Sequence, residues 1–138
     1  MVELSHLTTQ NRVLIVDDEA GIRDLFSMIL SHDLPEAALG QACNGQEAVE
    51  HFREYHDHVL IMDLHMPVMD GLTAFSKIAE ICTEDSLEMP AVVFCTGYAP
   101  PDAVRRIVST CVRHHLLSKP VRSETLVDTI RSRLDLGI

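Results

Sequence analysis

The stretch VLIMDLHMPVMDG, residues 59–71, drives four apolar residues, Val59 to Met62, into a carboxylate, Asp63, and then breaks at Pro67 and Asp70-Gly71. A continuous apolar run of this length, bounded by turn residues, reads as a strand buried on both faces. A charge at the end of such a strand calls for a reason. One aspartate there serves as readily as a helix cap or turn former, so the role of Asp63 depends on what the rest of the chain brings beside it.

The same pattern recurs on either side. RVLIVDD (12–18) predicts a strand, β1, ending in acid; Ile22, Leu25, Phe26 and Ile29 then recur at helical spacing, predicting a helix, α1, ended by Asp33, Leu34 and Pro35. A weaker strand, β2, spans Ala37 to Ala42, and NGQEAVEHF (44–52) follows, with Asn44 as cap of a helix, α2, turning Ala48, Val49 and Phe52 inward. Val59 to Met62 is β3, and α3 starts near Gly71 with Leu72, Phe75, Ile78 and Ala79 on one face. MPAVVFCTG (89–97) contains β4; Val104, Ile107, Val108 and Cys111 mark α4; HLLS (115–118) is β5; Leu126, Val127, Ile130 and Leu134 mark α5, with Ser123 as its cap.

Five apolar strands, each followed by a helix, call for an α/β fold: a doubly wound parallel sheet covered on both faces by right-handed crossovers. The ligand site of such a sheet lies outside the carboxyl ends of its strands. At those ends this sequence places Asp17 and Asp18 (β1), Asp63 (β3), Thr96 (β4), and Ser118 and Lys119 (β5). Three acids from two strands raise each other's pKa and destabilise the fold unless a cation joins them. Hard oxygen ligands suit Mg²⁺, with Mn²⁺ possible. A lysine and a hydroxyl beside that metal are what a transferring phosphoryl group requires, with a carboxylate as nucleophile. The implied product is an aspartyl phosphate.

Composition narrows the setting. The 138 residues are enough for one domain, with a formal charge of −10 and a pI near 5.1 that oppose direct nucleic-acid binding. Residues 1–100 hold 17 of the 21 acids, whereas residues 101–138 hold 7 of the 11 basic residues, so the carboxyl-terminal part is locally basic, with Arg105 expected outward and Arg106 near the boundary on α4, and Arg131 and Arg133 exposed on α5. No apolar run approaches the ~20 residues of a membrane span and no leader pattern opens the chain; a soluble cytoplasmic protein is expected, without membrane contact. Cys43, Cys82, Cys95 and Cys111 form no C-x-x-C pair, and with three of them in apolar surroundings they read as buried, unpaired thiols. The histidines, His56, His58, His114 and His115 among them, lack metal-ligand spacing and read as surface residues. Met62, Met66 and Met69 read as packing.

VLIVDDE, MDLHMPVMDG, FCTG and LLSKP, in this order, resemble the receiver domain of two-component response regulators (CheY-like). The resemblance covers about Asn11 to Leu134, leaving residues 1–10 and 136–138 as tails around a receiver domain at 11–135. It implies the flavodoxin-like (βα)5 fold with strand order 2-1-3-4-5, and Asp63 as phosphoacceptor. By the same resemblance Asp18 is a direct metal ligand, Asp17 acts through metal-bound water, and His65 gives its backbone carbonyl. Thr96 and Lys119 then attend the phosphoryl group, and the Lys119-Pro120 peptide is cis. The implied partner is a histidine kinase or histidine phosphotransfer protein, with a phosphorylation-dependent homodimer or target on the α4-β5-α5 face. The domain would be a signalling receiver, not an enzyme acting on other substrates.

The sequence departs from the family pattern in two ways. Leu116 occupies the place usually held by a rotating aromatic, and His65 and Tyr98 border the path of attacking water. Two other readings compete: a phosphorylation-independent interaction domain on the same fold, and a magnesium phosphohydrolase. The second lacks the usual D-x-D arrangement, since Leu64 and His65 follow Asp63.

Overall fold

Each strand sends alternate side chains to opposite faces, and the computed structural model, which describes residues 9–136, shows both faces covered. The strands are β1 (Arg12–Val16), β2 (Ala38–Ala42), β3 (Val59–Asp63), β4 (Ala91–Thr96) and β5 (His115–Ser118). The helices are α1 (Ala20–Asp33), α2 (Gly45–Tyr55), α3 (Gly71–Glu84), α4 (Asp102–Thr110) and α5 (Ser123–Arg131). All pairings among the five strands are parallel and give the order 2-1-3-4-5, as expected. The register aligns Val16 with Met62, Asp63 with Cys95 and Thr96 with Ser118, so the polar ends of the strands finish level.

On one face Leu14, Leu60, Met62, Val92 and Phe94 pack under α2, α3 and α4; on the other Val13, Ile15, Val59, Ile61 and Val93 pack under α1 and α5. Full burial of each such side chain contributes roughly 1.5–3 kcal/mol. Leu116 sits half-buried against the first of these clusters. Asn44 caps α2 by accepting the Glu47 N–H at 2.8 Å, and Asp70 caps α3 by accepting the Thr73 N–H at 2.8 Å. Thr9–Gln10 and Asp135–Leu136 form a two-stranded antiparallel ribbon beside the sheet, at residues 9–10 and 135–136. Of the tails read from the sequence, residues 1–8 and 137–138 lie outside the described residues.

Several local expectations need correction. Phe26 and Leu30 are the buried pair of α1, while Leu25 is 43% exposed. The core stripe of α3 is Ala74, Ile78, Ile81 and Cys82, with Leu72 and Phe75 at its margin, because the small Ala74 lets the helix approach the sheet on that side. Ser123 is the first residue of α5, and Arg122 precedes it without a side-chain cap. Only Cys82 and Cys95 are buried; Cys43 and Cys111 are half-buried, and all four are free.

Of the four histidines read as surface residues, His56 and His115 are exposed as expected, while His114 and His58 are not. His114 is buried, its Nδ1 accepting the Val92 N–H at 3.0 Å, with its ring edge-on to Phe75. His58 is half-buried, its Nδ1 accepting the Arg12 N–H at 3.1 Å. His51 pairs at 2.8 Å with the buried Asp57. Burial, with Arg113 and Arg133 nearby, lowers the His114 pKa; burial and the Arg12 and Arg113 charges lower that of His58 against the opposing pull of Asp57 and Glu88. Both rings therefore bind a proton less readily in the fold than in the unfolded chain, and take up protons on unfolding in acid. Stability is expected to be full above the ordinary histidine value of 6.5 and to fall as pH drops below it. The urea midpoint should fall between pH 7.5 and 5.5 by less in His114→Gln than in wild type; parallel pH profiles would exclude His114 as a source of that acid sensitivity.

Candidate functional site

The site is assembled at the carboxyl edge of the sheet. Strand β1 runs directly into Asp17 and Asp18. Asp17 is buried because both carboxylate oxygens are engaged: Oδ1 accepts the Glu19 N–H at 2.9 Å and Oδ2 accepts from Lys119 Nζ at 2.9 Å. Asp18 is exposed. Strand β3 delivers Asp63, buried, with Oδ1 at 3.5 Å from Lys119 Nζ and 3.4 Å from the His65 N–H. One oxygen of each of Asp17, Asp18 and Asp63 lies within 4.8 Å of the others. Thr96, at the end of β4, is buried, and its hydroxyl oxygen accepts the Tyr98 N–H at 3.1 Å. Lys119 follows β5, its N–H donating to the Thr96 carbonyl at 2.8 Å, and the Lys119-Pro120 peptide is cis.

The electrostatics follow from this crowding. Burial raises the Asp63 pKa; Lys119 opposes that rise and Asp17 adds to it. Burial works to lower the Lys119 pKa, but the hydrogen bond to Asp17 and the charge of Asp63 outweigh it and hold the ammonium above its ordinary value. Among the described residues Lys119 is the one basic side chain in ion-pair distance of these acids. One ammonium against three carboxylates leaves negative charge uncompensated. The donors are all hard oxygens, and that set fits Mg²⁺ or Mn²⁺ rather than zinc.

The loop after Asp63 explains the second half of the opening motif. Val68 has φ 70° and the Met69 N–H donates to the Pro67 carbonyl at 2.7 Å, a tight turn strained for a β-branched residue. The loop then returns: the Gly71 N–H donates to the Leu64 carbonyl at 3.0 Å, and the Gly45 N–H donates to the Met69 carbonyl at 2.9 Å. His65 and Tyr98, both exposed, meet edge-on above the mouth with ring centroids 5.5 Å apart. Every site residue expected from the sequence thus lies at one edge. The support given by Gly45 and Gly71, and by Arg23 beside Asp17, was not read from it; the N-G and D-G pairs were visible only as turn signals.

The family described as response regulator receiver domain matches residues 13–131. Chemotaxis protein CheY of Halobacterium salinarum is 30% identical over 119 residues, covering 86% of this chain and 92% of that protein. A protein-glutamate methylesterase/protein-glutamine glutaminase of Syntrophomonas wolfei is 39% identical over 85 residues, covering 62% of this chain and 23% of that protein. The chain thus spans about a quarter of the length of such relatives. A chain in the co-crystal structure of the Saccharomyces cerevisiae histidine phosphotransfer signaling protein Ypd1 and the receiver domain of its downstream response regulator Ssk1 superimposes with a TM-score of 0.78. It shares 25% identity, over 91% of this chain and 90% of that one. No helix among the described residues is long and apolar enough to cross a membrane.

Proposed function

We propose, since this chain belongs to the response regulator receiver domain family, that it receives a phosphoryl group on Asp63 from a phosphohistidine of a histidine kinase or phosphotransfer protein. The observation that carries the reading is the convergence of Asp17, Asp18 and Asp63 with Lys119 and Thr96 at one strand edge. In the transfer an Asp63 oxygen forms a bond to phosphorus as the bond to the donor's imidazole nitrogen breaks. Lys119 lies close enough to Asp63 to pair with a phosphoryl oxygen, and the Thr96 hydroxyl, now accepting from Tyr98, retains its own proton to donate. Asp18, Asp63 and the His65 carbonyl would hold the divalent ion, while Asp17, occupied by Glu19 and Lys119, would act through its water. Bound there, Mg²⁺ offsets the charge of the incoming phosphoryl oxygens.

On this reading the domain acts on its own phosphate alone, hydrolysing it slowly, and a cytoplasmic location goes with that role. Incubation with acetyl phosphate and Mg²⁺ should add one phosphate per chain, without sustained turnover of small phosphomonoesters. Multiple turnover would favour a phosphohydrolase, and no uptake would favour a phosphorylation-independent interaction domain.

His65 and Tyr98, which by the resemblance border the path of attacking water, meet edge-on, and on this reading the pair sets the lifetime of the phosphorylated state. His65→Ala with Tyr98→Ala is expected to change the decay rate several-fold, roughly 10-fold at most, while leaving the rate of labelling nearly constant. Equal decay in the double variant and wild type would remove the pair from this role.

Output is assigned to the α4-β5-α5 face, meeting an acidic target or a second copy of the domain. Arg105, Arg106 and Arg131 are exposed there, Arg131 beside Asp128 at 3.2 Å. Arg133, expected to join them, turns back instead: its guanidinium donates to the carbonyls of Arg113, Thr129 and Val112 and ties the α4–β5 loop to α5. Arg105→Glu with Arg131→Glu should weaken phosphorylation-dependent association and its salt sensitivity without changing labelling. Identical sedimentation of the phosphorylated variant and wild type, alone and with the partner, would place the output elsewhere.

A further inference from the structure

Asp17 and Asp18 adjoin in sequence but are held in different ways. The Asp17 carboxylate is fixed by two partners, Glu19 and Lys119. Asp18 is exposed, and no hydrogen bond to its carboxylate is found among the described residues. What orients Asp18 is therefore the peptide plane that joins it to Asp17. The amide of Asp17 donates to the Ala42 carbonyl at 3.1 Å, which fixes the chain before that plane. The plane's own carbonyl, that of Asp17, accepts from Arg23 Nη1 at 2.7 Å.

Arg23 is itself braced. It is half-buried one turn into α1, and its Nε donates to Gln41 Oε1 at 3.2 Å on the edge strand β2. Gln41 in turn donates to Ser27 Oγ at 3.2 Å and lies 3.5 Å from Asp24 Oδ1, both on α1. The guanidinium thus bridges the Asp17–Asp18 peptide and β2 with two donors set at a fixed angle. A lysine at this position carries the same charge but lacks that rigid fork.

We propose that Arg23 is a positioning residue for the divalent-ion site: by holding the Asp17 carbonyl it sets the peptide plane from which the Asp18 carboxylate projects towards Asp63. The inference rests on the reading of these acids as a Mg²⁺ site. Groups that orient a metal ligand from behind typically change metal affinity 10–100-fold when removed. Charge works in the opposite direction, because a cation near the site repels Mg²⁺ and its loss alone would strengthen binding. Arg23→Lys separates the two effects, keeping the charge and losing the fork.

The test is calorimetric titration of the whole chain with MgCl₂, with a urea melt of each variant alongside. Arg23→Lys is expected to bind Mg²⁺ roughly tenfold more weakly. Gln41→Ala, which removes the brace from an exposed side chain, should bind about threefold more weakly, and its urea midpoint should stay near wild type. If Arg23→Lys fails to fold, Gln41→Ala decides alone. Unchanged Mg²⁺ affinity in the folded variants, whatever their urea midpoints, would overturn the inference and leave the metal reading standing. A wild-type protein that binds no Mg²⁺ would overturn the metal reading itself.

Discussion

Stripping divalent cations with a chelator, or replacing Asp18 by alanine, is expected to slow acetyl-phosphate labelling of this protein by about two orders of magnitude, the scale of losing one preorganised charge-stabilising group. The reasoning begins with the imbalance at the strand ends. Asp17, Asp18 and Asp63 crowd within 4.8 Å, and the Lys119 ammonium is already bonded to Asp17 at 2.9 Å. A dianionic phosphoryl group approaching Asp63 without another cation meets more negative charge than Lys119 can offset. Asp18→Ala should do little harm to the apo fold, because Asp18 is exposed and its removal relieves repulsion from its neighbours. Urea midpoints equal to or above wild type, together with lost labelling, would separate a defect in the site from a defect in folding. Labelling that persists in excess chelator would mean that Lys119 alone supplies the neutralisation.

The second large effect is expected at Gly71. A Cβ there would collide with the Asp63 backbone carbonyl and lie 3.0 Å from Met62 Cγ and 3.1 Å from Leu64 Cα. Backbone atoms at the end of a buried strand cannot give way as the tip of a flexible side chain can. Gly71→Ala must therefore push α3 away from β3, or displace the Asp63 peptide, at a cost of about 1–3 kcal/mol as overpacking. The same shift would break the Gly71 N–H bond to the Leu64 carbonyl, which closes the loop carrying His65. Equilibrium unfolding in urea reads the stability loss, and the labelling rate reads the displacement of Asp63. Gly21→Ala is the control, since nothing lies within 4 Å of a Cβ at that position. Alanine is the better helix former at both positions, so a loss in Gly71→Ala no larger than that in Gly21→Ala would contradict the collision.

These two glycines show where the sequence stops being legible. Strands buried on both faces are apolar along their length, so β1, β3 and β4 could be placed from residue type alone, and their acidic ends located the site. Asn44 and Asp70 differ in the same way: the sequence marks the first as a cap but the second only as a break, although it caps α3. The stripe of α3 was misplaced because Ala74 is small enough to approach the sheet while Phe75 must lie at the edge, a matter of packing depth that periodicity does not carry. His114 looked superficial because its role is to accept a strand amide from twenty-two positions away. Arg133 looked exposed because the carbonyls it binds belong to a loop that only the fold brings near. Lys119, 102 positions from Asp17, is brought to the acids by its place at the end of β5, and its pairing with the phosphoryl group comes from the resemblance of LLSKP to the family pattern.

The most direct measurement is the mass of the intact protein after brief exposure to acetyl phosphate and Mg²⁺, taken for wild type and Asp63→Asn side by side, with the modified residue located by trapping the acyl phosphate with borohydride. The geometry at the end of β3 predicts one added phosphate in wild type, trapped at Asp63, and none in the variant. A phosphate that remains in Asp63→Asn, or that is found on a histidine, would contradict the assignment of Asp63 as the acceptor.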